Sequence, residues 1–305
     1  MPIKKTKKKS AKIYRNISKK IKQQIRKASS KSLERLNLSK KDINRIVDDF
    51  VTNFFSPKTS KSSLLEKQER YAAYNLGKGY GVSSIKEEVN NCIKLLGVKP
   101  YIFIDIGANI GEYSKEVLNR FPDIEVYMFE PSNFHRTNLT NLFGFLPNVN
   151  INNIALSNKS GETVLYSDKY GSPLSSLTER NLEHLDINFK YKENIISQRF
   201  DEFWKKIKNN NRIIDYVKID VEGNELLVLE GFGELINKTR LIQFEFGGSN
   251  IDTRTYFKDF WLYFMKHNFS IYRISPIGLL FISKYWEMDE IFLTTNYIAV
   301  NKNNI

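Results

Sequence analysis

"FIDIGANIGEYS", residues Phe103 to Ser114, joins an apolar run to a segment with the pattern of a helix. The apolar run ends at Asp105, and Gly107, Asn109 and Gly111 follow before the helical pattern begins. Glycines at such a turn permit backbone approaches that a Cβ would block, and N–H groups at a helix N-terminus are available to a ligand. We therefore expect a strand, a tight turn and a helix, with a ligand beside the turn.

Strand patterns and amphipathic helix patterns alternate on both sides of this turn. "EVYMFE", "IIDYVKIDV" and "RLIQFEF" have strand character, and amphipathic segments separate them. Such alternation predicts an α/β fold with a mainly parallel sheet and helices on both faces. Just before the turn, residues 83–97 carry Ser near the start, apolar residues at helical spacing and a terminal Gly, which predicts a capped helix.

A polar segment at about residues 161–194 interrupts the alternation. It begins with a hairpin-like pattern and continues as "YGSPLSSLTERNLEHLDINFK". Ligands of open α/β sheets bind beyond the carboxyl ends of the strands, where this segment is expected. The insertion is therefore either a surface excursion or a lid, and its His184 is either a lid residue or simply exposed.

Composition narrows the class of protein. The chain has 305 residues, of which 41% are apolar, enough for one large α/β domain with additions. The single Cys92 excludes an internal disulfide framework, and with only three His it argues against a metal site. No apolar stretch has the length of a membrane span or of a signal-peptide core. We expect a cytoplasmic protein in a reducing compartment.

Positive charge is concentrated at the N-terminus. Residues 1–45 hold 17 Lys and Arg against 2 acids, a net charge of +15, whereas the other 260 residues have a net charge of −2. We assign residues 1–62 to a basic tail and linker, and residues 63–305 to the folded domain. The tail is either a solvated arm or a basic amphipathic helix on an anionic surface. Attraction to nucleic acid or acidic lipid follows from its charge.

Two further positions favour a nucleoside ligand. Glu130 ends the second strand about 20 residues after the glycines, where an acid can accept both ribose hydroxyls. Ala155, after the third strand, either leaves room for a flat adenine or belongs to a buried strand end. The pattern GxNxG differs from the dinucleotide fingerprint GxGxxG, and Asp105 would repel a pyrophosphate. A nicotinamide dehydrogenase is therefore the least favoured enzyme.

Charged residues crowd the ends of two later strands. Lys218, Asp220 and Glu222 alternate, so the two-residue period of a strand places them on one face. Because burying an unpaired charge is costly, these residues are either chemical groups or a structural ion pair. Glu245 lies within an otherwise apolar strand. It is expected to act as a base with a raised pKa, to cap a pocket or to hold Lys218.

Asp105 with its glycine turn, Glu130 and "VKIDVEGNELLVLEG" together resemble the FkbM family of S-adenosylmethionine-dependent methyltransferases, over about residues 101–301. The resemblance implies the class I methyltransferase fold, which is Rossmann-like. Its seven-stranded, mainly parallel sheet would receive the last strand, Glu290 to Val300, in antiparallel orientation.

The same resemblance implies a cofactor and an arrangement around it. The methionine part of S-adenosylmethionine would lie beside the glycine turn, with Asp105 near its ammonium and sulfonium end. Glu130 would bind the ribose, and Ala155 would lie near the adenine.

The resemblance also implies O-methylation of a glycan or small-molecule hydroxyl. Methyl transfer from a sulfonium is an in-line displacement in which positioning and water exclusion supply much of the acceleration. A hydroxyl acceptor gains from proton removal. We take Asp220 as the first candidate base, with Lys218 orienting it or stabilising the developing oxyanion, and Glu222 and Glu245 as alternatives.

Two alternatives from other classes stay open. An RNA 2′-O-methyltransferase would use the basic tail as a phosphate anchor, although the lysines of its usual Lys-Asp-Lys-Glu tetrad cannot be placed beside Asp220. A non-catalytic binding or scaffold module would keep the fold without the activity. The acceptor and the oligomeric state are not determined by the sequence.

Overall fold

The computed structural model describes residues 61–81, 83–208 and 210–303. They fall into two units that divide between Leu76 and Gly77. The described part of the first unit contains helix α1 (Lys61–Asn75). Most of the predicted basic tail lies outside the described residues, so the boundary at residue 62 stays a prediction.

Five parallel strands form one side of the main sheet of the second unit, in the order β3-β2-β1-β7-β8 with β3 at the edge. They are β1 (Ile102–Ile106), β2 (Glu125–Phe129), β3 (Val149–Asn152), β7 (Ile214–Ile219) and β8 (Thr239–Phe246). Their carboxyl ends meet at one edge of the sheet, because parallel strands all run the same way. The glycine turn, Glu130 and Asp220 all follow these strands at that edge.

The last strand enters the sheet as expected. β11 (Thr295–Asn301) lies between β8 and β9 (Phe269–Ser275) and is antiparallel to both. It begins at Thr295, later than the predicted Glu290, whose carboxylate instead accepts the N–H groups of Phe257 and Lys258.

The prediction of seven mainly parallel strands was wrong. Within the described residues the sheet has eight strands and is mixed, since three of its seven pairings are antiparallel. The additional strand, β10 (Gly278–Ile282), forms an edge hairpin with β9. The chain reverses between them through Pro276 and Gly278, which has a φ of +111°, a conformation that glycine adopts without steric cost.

A second sheet, with the order β4-β6-β5, carries the insertion. It consists of β4 (Ala155–Leu156), β5 (Gly161–Ser167) and β6 (Tyr191–Gln198). The segment "NVNINNIAL", which has strand character along its length, is divided between β3 and β4. Asn153 turns the chain there by donating its Nδ2 to the carbonyls of Glu130 and Pro131. β5 and β6 pair antiparallel, so the long loop between them is held at both ends.

Helices cover both faces of the main sheet, as predicted. They are α2 (Ile85–Leu96), α3 (Glu112–Arg120), α4 (Asn133–Phe143), α5 (Phe200–Trp204), α6 (Glu225–Gly231), α7 (Ser249–Thr253) and α8 (Phe257–Lys266). Residues of α2, α3 and α4 share one buried cluster with Phe103, whereas those of α5, α6 and α8 share another with Ile104. Neighbouring residues of β1 therefore point into opposite cores.

The predicted caps of α2 are present. The Ser84 side chain accepts a hydrogen bond from the Glu87 N–H, and Gly97 ends the helix in the left-handed conformation. In the part of the chain that the structure describes, no helix is both long and apolar enough to cross a bilayer.

Candidate active site

The glycine turn after β1 is shaped by the protein's own atoms. Gly107 has a φ of +79°, and a Cβ on it would lie 1.9 Å from the Asp220 carbonyl oxygen. A Cβ on Gly111 would collide with the side chains of Leu139 and Phe143. The expectation that a ligand excludes side chains here therefore needs correction, because the missing side chains would meet protein atoms. The N–H of Gly107 donates to the Phe129 carbonyl oxygen, which ties the turn to β2.

Asp105 lies beneath this turn and is fully buried. Its Oδ2 accepts a hydrogen bond from the Ser114 hydroxyl, while its Oδ1 has no hydrogen-bond partner among the described residues. Burial raises the pKa of Asp105, and Lys218 on the adjacent strand opposes that rise. Asp105 does not line the cavity described below, although the next two residues, Ile106 and Gly107, do.

Glu130 fixes the geometry of the turn from the end of β2. Its Oε2 accepts from the Asn109 N–H at 2.8 Å, and its Oε1 accepts from the Ser132 N–H at 2.9 Å. Asn109 has a φ of +50°, so the carboxylate stabilises an uncommon backbone conformation. Burial raises the pKa of Glu130 to about 7, even though both N–H groups favour the ionised form.

Lys218 and Asp220 form an ion pair at the end of β7. The Lys218 Nζ lies 3.1 Å from the Asp220 Oδ2, with the lysine side chain 11% exposed and the aspartate side chain 36% exposed. Burial disfavours the ammonium, but the carboxylates of Asp220 and Asp105 outweigh it and raise the pKa of Lys218. The Nζ also lies over the Tyr113 ring. Lys218 is therefore a fixed cation that orients Asp220.

Glu222 and Glu245 lie beyond this pair. Burial raises the pKa of Glu222 to about 7, with Asp220 adding to the rise and Arg180 opposing it. Burial also raises the pKa of Glu245 well above its ordinary value, and the neighbouring acids add to that rise. The surroundings of Glu245 therefore raise its pKa, which is the direction that the sequence predicted.

Sequence reasoning missed two buried acids near these groups. Glu88 on α2 accepts from the Ser83 hydroxyl at 2.7 Å and from the Asn296 amide at 3.2 Å. Glu225 accepts the N–H groups of Val221 and Gly223 at 3.0 and 3.1 Å, which holds the loop after β7. The spacing of Glu225 within "VEGNE" was a usable signal. Glu88 offered none, because its partners Gln243 and Asn296 come from distant parts of the chain.

A cavity of about 400 Å³ lies at the carboxyl edge of the main sheet. Eight predicted site residues line it: Gly107, Asn109, Glu130, Ala155, Lys218, Asp220, Glu222 and Glu245. Gly111 and Asp105 are not among the lining residues. Phe129 ends β2, and Ala155 and Leu156 follow β3, whereas Lys218 and Asp220 stand at the end of β7 and Glu245 near the end of β8, on the other side of β1 in the strand order. We call these two sides the apolar end and the charged end of the cavity. The insertion supplies part of the wall, through residues that include Ser176 and Leu177, whereas His184 is exposed and lies elsewhere.

The family model for the methyltransferase FkbM domain matches residues 105–271. The chain belongs to the FkbM methyltransferase family. The matched range begins at Asp105 and includes the glycine turn, the end of β7 and Glu245, so the family domain contains most of the cavity wall.

A curated relative of this FkbM domain is the 2-O-methyltransferase NoeI of Sinorhizobium fredii. It is 23% identical over 197 residues, which cover 62% of this chain and 80% of NoeI.

Solved structures resemble the FkbM protein at low identity. The methyltransferase FkbM from Methylobacillus flagellatus is 16% identical with a TM-score of 0.44, over 85% of this chain and 60% of that chain. This protein thus spans less than two thirds of that structure. The plantazolicin methyltransferase BpumL, solved with SAH, is 9% identical with a TM-score of 0.40, over 85% of this chain and 98% of BpumL.

The described part of this FkbM chain has no group of side chains suited to binding a metal ion. No cluster of three or more His, Cys, Asp or Glu residues with the geometry to hold an ion occurs among those residues. Three acids of the cavity have other partners: Glu130 binds backbone N–H groups, Asp220 pairs with Lys218, and Glu222 pairs with Arg180.

Proposed function

We propose that this protein transfers a methyl group from S-adenosylmethionine to a hydroxyl of a glycan or another small molecule. One observation carries the proposal: within an FkbM domain, a single cavity has an apolar end beside Glu130 and a charged end beside the Lys218–Asp220 pair. The relative NoeI is a 2-O-methyltransferase, which supports a hydroxyl acceptor.

The cavity residues fit the two ends of the cofactor. Ala155 and Leu156 offer an apolar surface to adenine, and Glu130 lies next to them. Each carboxylate oxygen of Glu130 accepts one N–H group and has a further lone pair, so both can still accept a ribose hydroxyl. The cationic end would lie beside the glycine turn, and Asp105, which is buried behind that turn and does not line the cavity, would act on it only through its charge. When bound, the cofactor supplies an electrophilic methyl group on a sulfonium.

The protein's own contribution is positioning and proton removal. Asp220 lies at the charged end, where an acceptor hydroxyl can donate to its carboxylate. Lys218 holds that carboxylate at 3.1 Å and orients it toward the acceptor. Asp220 then accepts the hydroxyl proton as the oxygen attacks, a contribution of about 10²-fold to 10⁴-fold for a positioned base.

The lining of the cavity weighs against an RNA acceptor. Lys218 is the only Lys or Arg among the described residues that line the cavity, and it is already paired with Asp220. Binding to a nucleic-acid backbone depends on Lys and Arg contacts to phosphate. A neutral hydroxyl acceptor suits this acid-lined wall better.

Two variants test the proposal through different readouts. We expect titration calorimetry to show binding of S-adenosylmethionine and not of NAD. Glu130→Gln should weaken that binding by about 10-fold to 100-fold, because it replaces a charged acceptor. Asp220→Asn should keep the cofactor affinity and lower kcat by about 10²-fold or more, measured with a labelled methyl donor on glycan and RNA acceptors.

Glu162→Gln is the matched control, since Glu162 is exposed on β5 and does not line the cavity. No binding of S-adenosylmethionine would overturn the proposal and favour a scaffold module. If RNA is methylated and the glycan acceptors are not, the acceptor is RNA and the proposed acceptor class is wrong.

A further inference from the structure

Arg180 connects the insertion to the loop that follows β7. Its guanidinium Nη1 lies 2.7 Å from the Glu222 Oε2, and its Nε lies 3.0 Å from the Asp252 Oδ2. The Arg180 side chain is 8% exposed. Its guanidinium also lies over the ring of Phe189, another residue of the insertion, at 5.9 Å from the ring centre. A buried arginine shared by two carboxylates is a specific contact, because removing one partner would leave a charge uncompensated.

Neutral hydrogen bonds join the same two segments. The Ser176 hydroxyl donates to the Glu222 carbonyl oxygen at 2.8 Å and accepts from the Asn224 amide at 3.0 Å. The Thr178 hydroxyl donates to the Asn224 Oδ1 at 3.3 Å. These bonds hold residues 176–180 against the loop on which Glu222 lies. Glu222 itself has a φ of +54°, so its backbone depends on that support.

We propose that Arg180 is a positioning residue that holds the Glu222 carboxylate directed at the charged end of the cavity, so that docking of the insertion prepares the site for the acceptor. The inference rests on the proposed methyl transfer and assigns to the insertion a control over it. When residues 176–180 leave the loop, Glu222 loses its cationic partner and its backbone support together.

The charges around Glu222 determine the direction of the effect. Asp220 and Lys218 face it from the end of β7, Glu245 faces it from β8, and Arg180 faces it from the insertion, with Asp252 on the far side of Arg180. Burial and Asp220 raise the pKa of Glu222 to about 7, while Arg180 and Lys218 oppose the rise. Removal of Arg180 must therefore raise this pKa further and protonate Glu222 near neutral pH.

The experiment compares three variants of the full-length enzyme. Arg180→Gln removes the charge, and Arg180→Lys keeps the charge without the two-pronged geometry. Lys192→Gln is the control, since it removes the same charge from the edge of the insertion, where Lys192 pairs with Glu179 and both side chains are 54% exposed. Thermal melts first establish that each variant is folded.

Two readouts do not depend on turnover. In ¹³C NMR titrations of the Glu222 carboxyl, assigned with Glu222→Gln, we expect Arg180→Gln to lower the ionised fraction at pH 7 roughly fivefold. Amide hydrogen exchange in residues 171–182 should become faster in Arg180→Gln and stay at the wild-type rate in Lys192→Gln. Arg180→Lys should lie between them in both measurements.

The pH–rate profile then links the Arg180–Glu222 pair to catalysis. The acidic limb of kcat in Arg180→Gln should move to higher pH, with the rate at pH 9 within about twofold of wild type. A uniform loss at every pH, or an unchanged titration of Glu222, would overturn the proposal. If the wild type fails to bind S-adenosylmethionine but the titration and exchange still change, the role of Arg180 stands and the proposed methyl transfer fails.

Discussion

Gly107 shows how one residue connects the fold to the site. Its backbone passes so close to the end of β7 that a Cβ would overlap the Asp220 carbonyl oxygen at 1.9 Å. The same approach brings the glycine turn and the Lys218–Asp220 pair to the wall of one cavity. The need for glycine at this position therefore arises from the meeting of two strand ends.

Substitution of Gly107 by Ala should destabilise the protein even without a ligand. We expect a loss of about 2 to 5 kcal/mol in the free energy of unfolding, from the collision with backbone and from the left-handed φ. Urea unfolding of the ligand-free protein measures it.

Gly97→Ala is the matched control for this prediction. Gly97 has a similar φ of +68°, but no atom lies within 4 Å of its Cβ position. It should cost only about 1 kcal/mol. Equal losses in the two variants would mean that the Asp220 backbone moves aside for the added methyl group. The steric explanation for glycine at position 107 would then be contradicted.

Among the elements, α2 contributes more to the site than its position before β1 suggests. It carries Glu88, which lines the cavity and bonds to Ser83 and Asn296. The helix begins at a Ser84 cap whose side chain accepts the Glu87 N–H at 3.3 Å. The order of its first turn therefore affects the acidic wall.

Ser84→Ala should lower the free energy of unfolding by about 1 kcal/mol, the usual effect of losing an N-cap acceptor. Ser132→Ala is the comparison, because Ser132 stands at the N-cap of α4 without a side-chain capping bond. We expect a smaller loss there in urea unfolding with unchanged m-values. A loss at Ser132 as large as that at Ser84 would contradict the capping explanation.

The insertion borders the candidate site although it belongs to a separate sheet. Its strands β5 and β6 form a separate sheet with β4, yet Ser176, Leu177 and Arg180 bring its loop to the cavity and to Glu222. Of the two sequence interpretations, surface excursion or lid, the contacts favour a segment that borders the site. This position is also where acceptor selectivity is expected to reside.

At the scale of the whole molecule, charge is divided between the ends of the chain. The first 45 residues carry +15 and the rest −2. Replacing Lys4, Lys5, Lys7, Lys8 and Lys9 by Gln should weaken RNA binding and lower its salt dependence by about 0.7 in log–log slope for each phosphate that the tail no longer neutralises. Turnover of a small acceptor should stay within about twofold of wild type, because the cavity is formed by residues 81–296.

The control for this prediction removes five charges from exposed lysines of the domain, namely Lys86, Lys94, Lys99, Lys115 and Lys190. Filter binding over a salt series and methyl-transfer assays measure both sets. If the two sets weaken RNA binding equally, attraction is a matter of total charge and the tail has no specific part in it.

Local features of the sequence determined much of this protein. Apolar periodicity and glycine spacing predicted β1, its turn and the capped α2, since these depend on residues a few positions apart. Parallel strands bring their carboxyl ends to one edge, so eight predicted residues, Lys218 and Glu130 among them, line one cavity.

Contacts between distant residues were decided by the tertiary structure. Whether "NVNINNIAL" was one strand or two depended on Asn153 reaching the carbonyls that follow β2. The eighth strand required a free edge at β9, and Glu88 acquired its surroundings from Asn296, 208 positions away. Arg180 meets Glu222 across 42 positions. Such pairings leave no local pattern, because they form only when the chain has packed and the cost of burying each charge is offset by its partner.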